Sequence, residues 1–310
     1  MVTQNGEETR SELMVLGQGI YKYELVKGWA KFPAFFEFDG PEKMGGVVDA
    51  ACDSEDRVHV LCRANHPVMV FNPDGTFVGS WGEGHFRWPH TIFIDSEDNI
   101  WIVDSQTHTV EKFTPDGKLL VRLGTRDWAT PLLRRAPFNM PTGLAIGPDG
   151  NLYISDGYAN YLVHKFSPNG KLLKTWGGHG TGPGQFALPH NIGVDRHGMV
   201  YVCDRENQRV QIFDGEGRYV TEWAGLNNPA DISLDWKNDV VYLAEIGGPY
   251  QPKMSIRNLK GKEISSWEGR ESEGKGLMEV AHGIGVDSKG NIYECEIGKT
   301  PRIQKFSKIS

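Results

Sequence analysis

Apolar residues along this chain come in short runs separated by tight-turn chemistry, and the same run–turn–run unit keeps returning. Residues 88–104 read W-P-H-T-I-F-I-D-S-E-D-N-I-W-I-V-D, and residues 140–156 read M-P-T-G-L-A-I-G-P-D-G-N-L-Y-I-S-D. Residues 188–204 give L-P-H-N-I-G-V-D-R-H-G-M-V-Y-V-C-D, and residues 280–296 give V-A-H-G-I-G-V-D-S-K-G-N-I-Y-E-C-E. Weaker copies lie at 228–245 and 44–62. Each copy predicts two apolar strands joined by a turn, with D-G, K-G or H-G supplying hairpin chemistry. A second hairpin follows, as in V-E-K-F-T-P-D-G-K-L-L-V-R-L-G at 110–124. Each unit therefore holds four antiparallel strands over roughly 40–50 residues, the size of a propeller blade. Six units fit, so the expected fold is all-β, a six-bladed β-propeller. The last unit reaches Phe306 with three strands. The N-terminal segment Tyr21–Phe32, with Trp29, is expected to add the fourth, closing the ring and removing free sheet edges.

Composition narrows this picture without changing it. The 310 residues include 38 Gly and nine Trp, as many short strands and tight turns require. One domain is expected over residues 16–310, with 1–15 as a flexible tail. The segment from Asp127 to Pro137 reads as a loop between blades two and three, and Gly247 to Pro252 as an insert in blade five. The net charge of −7 argues against a nucleic-acid partner. No apolar run is long enough for a transmembrane helix, so no membrane partner is expected. Met1 to Glu12 lack the basic start and apolar stretch of a signal peptide. Cys52, Cys62, Cys203 and Cys295 form no C-x-x-C pair and read as buried thiols, which points to a reducing, cytoplasmic setting.

Candidate chemistry appears when the copies are aligned on the start of the inner strand. Blade two has His90 there, blade four His190 and blade six His282. Blade one has Gly45 or Gly46, blade three Thr142 and blade five Ala230. Alternate blades of a six-fold ring lie about 120° apart, and inner strands line the central channel. Three imidazoles would converge on the axis as a tripod with open positions, the arrangement of a catalytic zinc site. Three His without Cys suits Zn2+, with Fe2+, Mn2+ or Co2+ as alternatives. The other histidines, His59, His66, His85, His108, His164, His179 and His197, show no such register and read as structural. The second strand returns to the rim that carries the three His. On that rim Arg63 and Arg205 occupy equivalent positions on opposite blades, where two guanidiniums suit a carboxylate. Tyr158 follows Asp156-Gly157 and is a candidate acid or base. Asp104, Asp156 and Asp204 read as acceptors for loop amides.

These segments resemble NHL repeats, and the His-bearing ones resemble the peptidyl-α-hydroxyglycine α-amidating lyase family. The resemblance rests on W-P-H at 88–90, S-D-G-Y at 155–158, F-S-P-N-G-K at 166–171 and L-P-H-N-I at 188–192, followed by D-R-E-N-Q-R at 204–209. It implies zinc on His90, His190 and His282, with Tyr158, Arg63 and Arg205 at the reacting centre. The implied reaction breaks the C–N bond of an N-acyl hemiaminal, giving an amide and an aldehyde acid such as glyoxylate. Tyr158 would serve in proton transfer, and an arginine would hold the carboxylate of a small-molecule or short peptide-like substrate. The family's third histidine sits in M-P-H-D, where this chain has Val280-Ala281-His282-Gly283. That departure argues against the family's methionine contact and structural Ca2+. Ala159 replaces the cysteine that follows the family tyrosine, so the family's disulfide is not expected. No hydroxylating monooxygenase sequence accompanies the repeats, so the expected substrate need not be a peptide.

Two other readings fit the same residues. A hydrolase or hydratase would use the open metal site to activate water. A non-catalytic NHL propeller would bind a protein partner, since a fold does not fix a function.

Overall fold

The computed structural model describes residues 14–38, 45–132, 134–247, 251–269, 271–272, 275–276, 278–298 and 300–309. Six antiparallel sheets surround one axis; five add their strands in chain order from the inside outwards, and the sixth takes its outer strands from the N-terminal segment. The inner strands are Gly46–Cys52, Pro89–Ile94, Gly143–Ile146, Pro189–Val194, Pro229–Asp235 and Ala281–Val286. Each packs beside the next, and the sixth packs beside the first, so the ring is closed. The fold is the expected six-bladed β-propeller. Among the described residues the only helix is the single 3-10 turn Arg205–Asn207, and no helix is long and apolar enough to cross a membrane.

The strands form where they do because the turns between them are locally satisfied. After the inner strands, Asp95, Asp195 and Asp287 each accept two backbone amides of the following turn. The outer oxygens of these carboxylates then anchor Trp101, Tyr201 and Tyr293 from the second strand. The core lies between blades, and tryptophans from the outer strands fill it. Gly117, at φ +86°, and Gly217, at φ +70°, put bare backbone against Trp81 and Trp176 of the preceding blade. A Cβ at Gly217 would lie 2.6 Å from the Trp176 ring.

Ring closure follows the expected route with two differences. Tyr21–Val26 pairs with Arg302–Ile309 and completes blade six, so the strand stops short of Phe32. Trp29 and Phe32 lie past its end and pack against Phe71 of blade one. Trp29 meets the turn glycine Gly75 with its backbone carbonyl and the edge of its indole, and so takes the place of the blade-six tryptophan. Val15–Gln18 adds a fifth strand outside Tyr21–Val26. Val15, assigned above to a tail, is therefore in a strand, and residues 1–13 lie outside the described residues. The insert in blade five connects Val240–Glu245 to Lys253–Asn258, with 248–250 outside the described residues. The four cysteines carry free thiols, three of them buried.

Candidate functional site

The inner strands aim side chains at the axis through a repeated irregularity. In blades one, two, four, five and six the pairing of first and second strands slips by one residue near its start. The residues in the slip are Val48, His90, His190, Ala230 and His282. Each is the extra residue of a bulge, a device that turns one side chain out of the pleat. The register corrects the alignment of blade one, whose matching residue is Val48 rather than Gly45 or Gly46. Glycines at 45 and 46 imitate the start of a strand in the sequence, but the bulge displaces the equivalent position towards Asp49.

A second repeated contact fixes the approach to these bulges. The acid that ends the second strand accepts the amide three residues before the bulge position. The pairs are Asp104 with Arg87, Asp156 with Asn139, Asp204 with Ala187, Glu245 with Asn227 and Glu296 with Glu279, at 2.6–2.9 Å. Blade one has Cys62 instead, which accounts for its weak likeness to the others.

His90, His190 and His282 converge, each offering a ring nitrogen within 4.8 Å of the others'. All three are buried. Their Nδ1 atoms face backbone carbonyls of the next blade: His90 to Thr142 at 2.6 Å, His190 to Ala230 at 2.8 Å and His282 to Val48 at 2.8 Å. A carbonyl only accepts, so each Nδ1 carries the proton and each neutral ring keeps its lone pair on Nε2. Burial is the largest influence holding all three imidazoles below the ordinary histidine range. For His90 the next influence is His282, for His190 it is Arg205, and His282 is pushed down to about 3 by burial and then Arg63. The odd-numbered blades thus supply the carbonyls that orient the histidines carried by the even-numbered ones. Three neutral imidazoles with inward lone pairs and fixed Nδ1–H groups are a donor set that fits a divalent transition ion.

Tyr158 lies directly over this centre. Its hydroxyl is 2.9 Å from His90 Nε2 and 3.3 Å from His190 Nε2. Burial raises its pKa, while Arg205 and then Arg63 oppose that rise. Arg63 is buried, with Nε 3.3 Å from the Pro89 carbonyl and its guanidinium 4.3 Å from the centre of the Trp88 ring. Burial pushes its pKa down to about 10. Arg205 is half-buried and pairs through Nε with Glu206 at 2.9 Å. The structure therefore brings the three histidines and Tyr158 into contact and sets both arginines within electrostatic reach of them.

The remaining histidines lie elsewhere. His59, His66, His85 and His164 pair with Asp53, Glu83, Glu111 and Asp156. His108 sits in the turn before the third strand, not in an outer strand, and its Nδ1 accepts the Met140 amide at 3.0 Å. Sequence reasoning missed a polar layer one residue beyond the bulges, where Asp49, Asn191 and Asp231 meet across the axis. Asp231 accepts the Ile232 and Ile284 amides and Asn191 Nδ2, while Asp49 accepts the Ala50 and Ile92 amides. The signal was present, since each follows a bulge position directly. Beyond this layer an axial channel of about 770 Å³ opens on the opposite face.

The fold defines an NHL-repeat propeller, on whose axis three histidines meet, and comparison with known proteins agrees on the repeats. The NHL repeat matches residues 138–166 and 186–213. The chain is 34% identical over 218 residues to human NHL repeat-containing protein 3, covering 66% of this chain and 60% of that protein. Its homologues also include the probable peptidyl-alpha-hydroxyglycine alpha-amidating lyase pgal-1 of Caenorhabditis elegans, 30% identical over 153 residues. That alignment covers 48% of this chain and 43% of the nematode protein. This chain thus spans about three fifths or less of these relatives. Among solved structures, a streptogramin B lyase matches with a TM-score of 0.61 over 88% of this chain and 97% of that one. At 13% identity, that likeness concerns the fold alone.

Proposed function

We propose that this protein is a metal-dependent carbon–nitrogen lyase that converts an N-acyl-α-hydroxyglycine, or a related N-acyl hemiaminal, into an amide and glyoxylate or another aldehyde. The observation that carries the proposal is the set of three neutral imidazoles whose Nε2 atoms face one another beneath the Tyr158 hydroxyl. The homology to an amidating lyase supports the same reading. His90, His190 and His282 would hold the ion, Zn2+ by its preference for this donor set. When bound, it supplies Lewis acidity that lets a substrate hydroxyl lose its proton near neutral pH.

The chain's own groups account for the remaining requirements. Tyr158 lies where it can take the hydroxyl proton and return it to the departing amide nitrogen. As that proton leaves, the carbon–oxygen double bond forms and the carbon–nitrogen bond breaks, so no water is consumed. Arg63 and Arg205 flank Tyr158 and suit the substrate carboxylate. Their positive charge also favours the ionised tyrosine that proton transfer requires.

α-Hydroxyhippurate tests the proposal. Protein loaded with Zn2+ is expected to release equal amounts of glyoxylate and benzamide. Tyr158→Phe should keep the metal and lose turnover by a factor on the order of 10²–10⁴. His90→Ala, His190→Ala and His282→Ala should each lose the metal. A zinc-loaded, folded protein that releases neither product would overturn the reading. The 218-residue match to a protein named only for its repeats favours the second reading, a binding propeller, and that result would support it.

A further inference from the structure

On the face opposite the histidines, blade five departs from the repeat. His59, Trp101, Tyr201 and Tyr293 share one position of the second strand in blades one, two, four and six. Each meets the acid of its own turn, Asp53, Asp95, Asp195 or Asp287, at 3.0–3.1 Å. Tyr242 holds that position in blade five, but its turn is one residue longer. The outer oxygen of Asp235 accepts Asn238 Nδ2 at 2.6 Å instead. Tyr242, 1% exposed, keeps a hydroxyl without a partner, and so does the neighbouring Tyr23. A contact between the two phenol oxygens could use only one of their two hydrogens.

The junction of blades five and six is open at the same place. Elsewhere on this face a turn residue clasps the next blade: Ser288 to Asp56, Ser54 to Asp98 and Arg196 to Asp239. The corresponding pair between blades five and six is Trp236 and Gly290, which can form no such clasp. Gly290, at φ +80°, shares the left-handed turn conformation of Asp56 and Asp98, at +61° and +59°, but brings no side chain. The point where its Cβ would stand is 3.5 Å from Lys308 Nζ and 3.7 Å from the Tyr242 hydroxyl. An ammonium and a phenol, both donors, thus converge on one gap beside the axial channel. Lys237, Lys289 and Lys308 stand at this mouth against Asp235 and Asp287. Both carboxylates are taken up by their own turns, which leaves one positive charge over. One negative charge suits this balance, whereas a phosphate dianion would meet the two aspartates.

We propose that this junction is a second ligand site, which takes the carboxylate of a small organic monoanion on Tyr242 and Lys308 and its body in the axial channel beside Leu234 and Val286. The polar layer of Asp49, Asn191 and Asp231 lies between this site and the three histidines, so the proposal does not rest on the lyase reading. Lys308 is half-buried, and its ammonium rests 4.7 Å from the centre of the Tyr21 ring. Rotation of its stem admits the carboxylate to the phenol and carries the ammonium with it.

Calorimetric titration of the whole zinc-loaded protein with phenylacetate tests this. Wild type should bind it, and Tyr242→Phe should bind it about 10–100-fold more weakly, the size of a hydrogen bond to a charged group. Gly290→Asn should abolish binding, because it puts a side chain into the gap on a backbone that Asp56 and Asp98 already adopt. Phenylacetamide, without the charge, and phenyl phosphate, with a second one, should each bind more weakly than phenylacetate. Melting without ligand separates a lost contact from a folding defect. Tyr242→Phe removes a buried hydroxyl that has no partner and should melt no lower than wild type. Tyr201→Phe removes the bond to Asp195 and should melt lower. Phenylacetate should raise the melting temperature of wild type and leave that of Gly290→Asn unchanged. No binding by wild type, undiminished binding by Tyr242→Phe or Gly290→Asn, or tighter binding of phenyl phosphate would each overturn the proposal. So would a Tyr242→Phe variant that melts well below wild type, since its hydroxyl would then already be engaged.

Discussion

Asp49 and Asp231 follow directly on Val48 and Ala230, whose carbonyls hold His282 and His190. The two carboxyl groups are buried together, and two like charges in such a place favour a proton on one of them. Burial raises both pKa values, and for Asp49 the neighbouring Asp231 charge adds to the rise. A carboxyl whose folded pKa lies above its unfolded value contributes stability that is full below about pH 4 and is lost as pH rises through the folded value. The three histidines act in the opposite sense: their folded pKa values are depressed, so their stability contribution is present above about pH 6.5 and lost as pH falls. The carboxyl contribution therefore has to be isolated as a difference. Melting temperatures of wild type and Asp49→Asn, measured from about pH 4.5 to about pH 8, should differ increasingly in the variant's favour as pH rises, because an amide needs no proton to pair with Asp231. A difference independent of pH would mean that no proton is shared. The convergence of the three axial histidines was legible in the sequence because they stand at one repeat position in alternate blades. The positions of this acid pair follow the bulge residues just as regularly, but their meeting was not legible, because it joins blades one and five and only the closed ring brings them together.

At the scale of the strand and turn, sequence reasoning identified the hairpins but not what the glycines in them face. D-G and E-G at 116–117 and 216–217 announce turns, yet nothing local says that each glycine meets a tryptophan some forty residues earlier in the chain. Gly217 and Gly198 separate the two roles. Both have positive φ, +70° and +79°, but Gly217 lies against Trp176 and Gly198 has open space around it. Gly198→Ala is expected to cost about 1 kcal/mol for the left-handed backbone alone. Gly217→Ala adds a collision with a rigid ring and should cost about 2–4 kcal/mol. Urea unfolding of the two variants tests this, and similar losses would mean that the tryptophan packing yields easily. The same reasoning explains blade one. Its bulge residue, Val48, could not be aligned because Cys62 replaces the acid that anchors the approach loop in the other five blades.

At the scale of the whole molecule, the centre depends on a junction far from it in sequence. His282 belongs to blade six, and its Nδ1 partner is the Val48 carbonyl of blade one, 234 residues away. Between those blades the ring is held by the isolated bridge of Gly46 to Ile297, by Ser288 with Asp56, and by the N-terminal segment. That segment contributes the closing strand Tyr21–Val26 and then Trp29, which contacts Tyr293 of blade six and Phe71 of blade one. Its indole also donates to the Pro73 carbonyl at 3.0 Å. Two truncations separate these contributions. A chain starting at Tyr21 loses only the outermost strand, which touches no ligand and no blade-one residue in its pairing, and should fold and bind one ion. A chain starting at Ala30 retains His90, His190 and His282 but loses the closing strand and Trp29. It leaves Arg302–Ile309 as an exposed edge, which invites pairing between molecules. It also frees blade six to move away from blade one, so the His282 ring loses its fixed partner. A metal-binding histidine that has lost the carbonyl orienting its ring binds metal roughly 10–100-fold more weakly. Zinc affinity, measured on soluble monomer by competition with a chelator, should therefore fall for the chain starting at Ala30 and hold for the chain starting at Tyr21. Equal affinity in both would mean that the three histidines are organised without a closed ring.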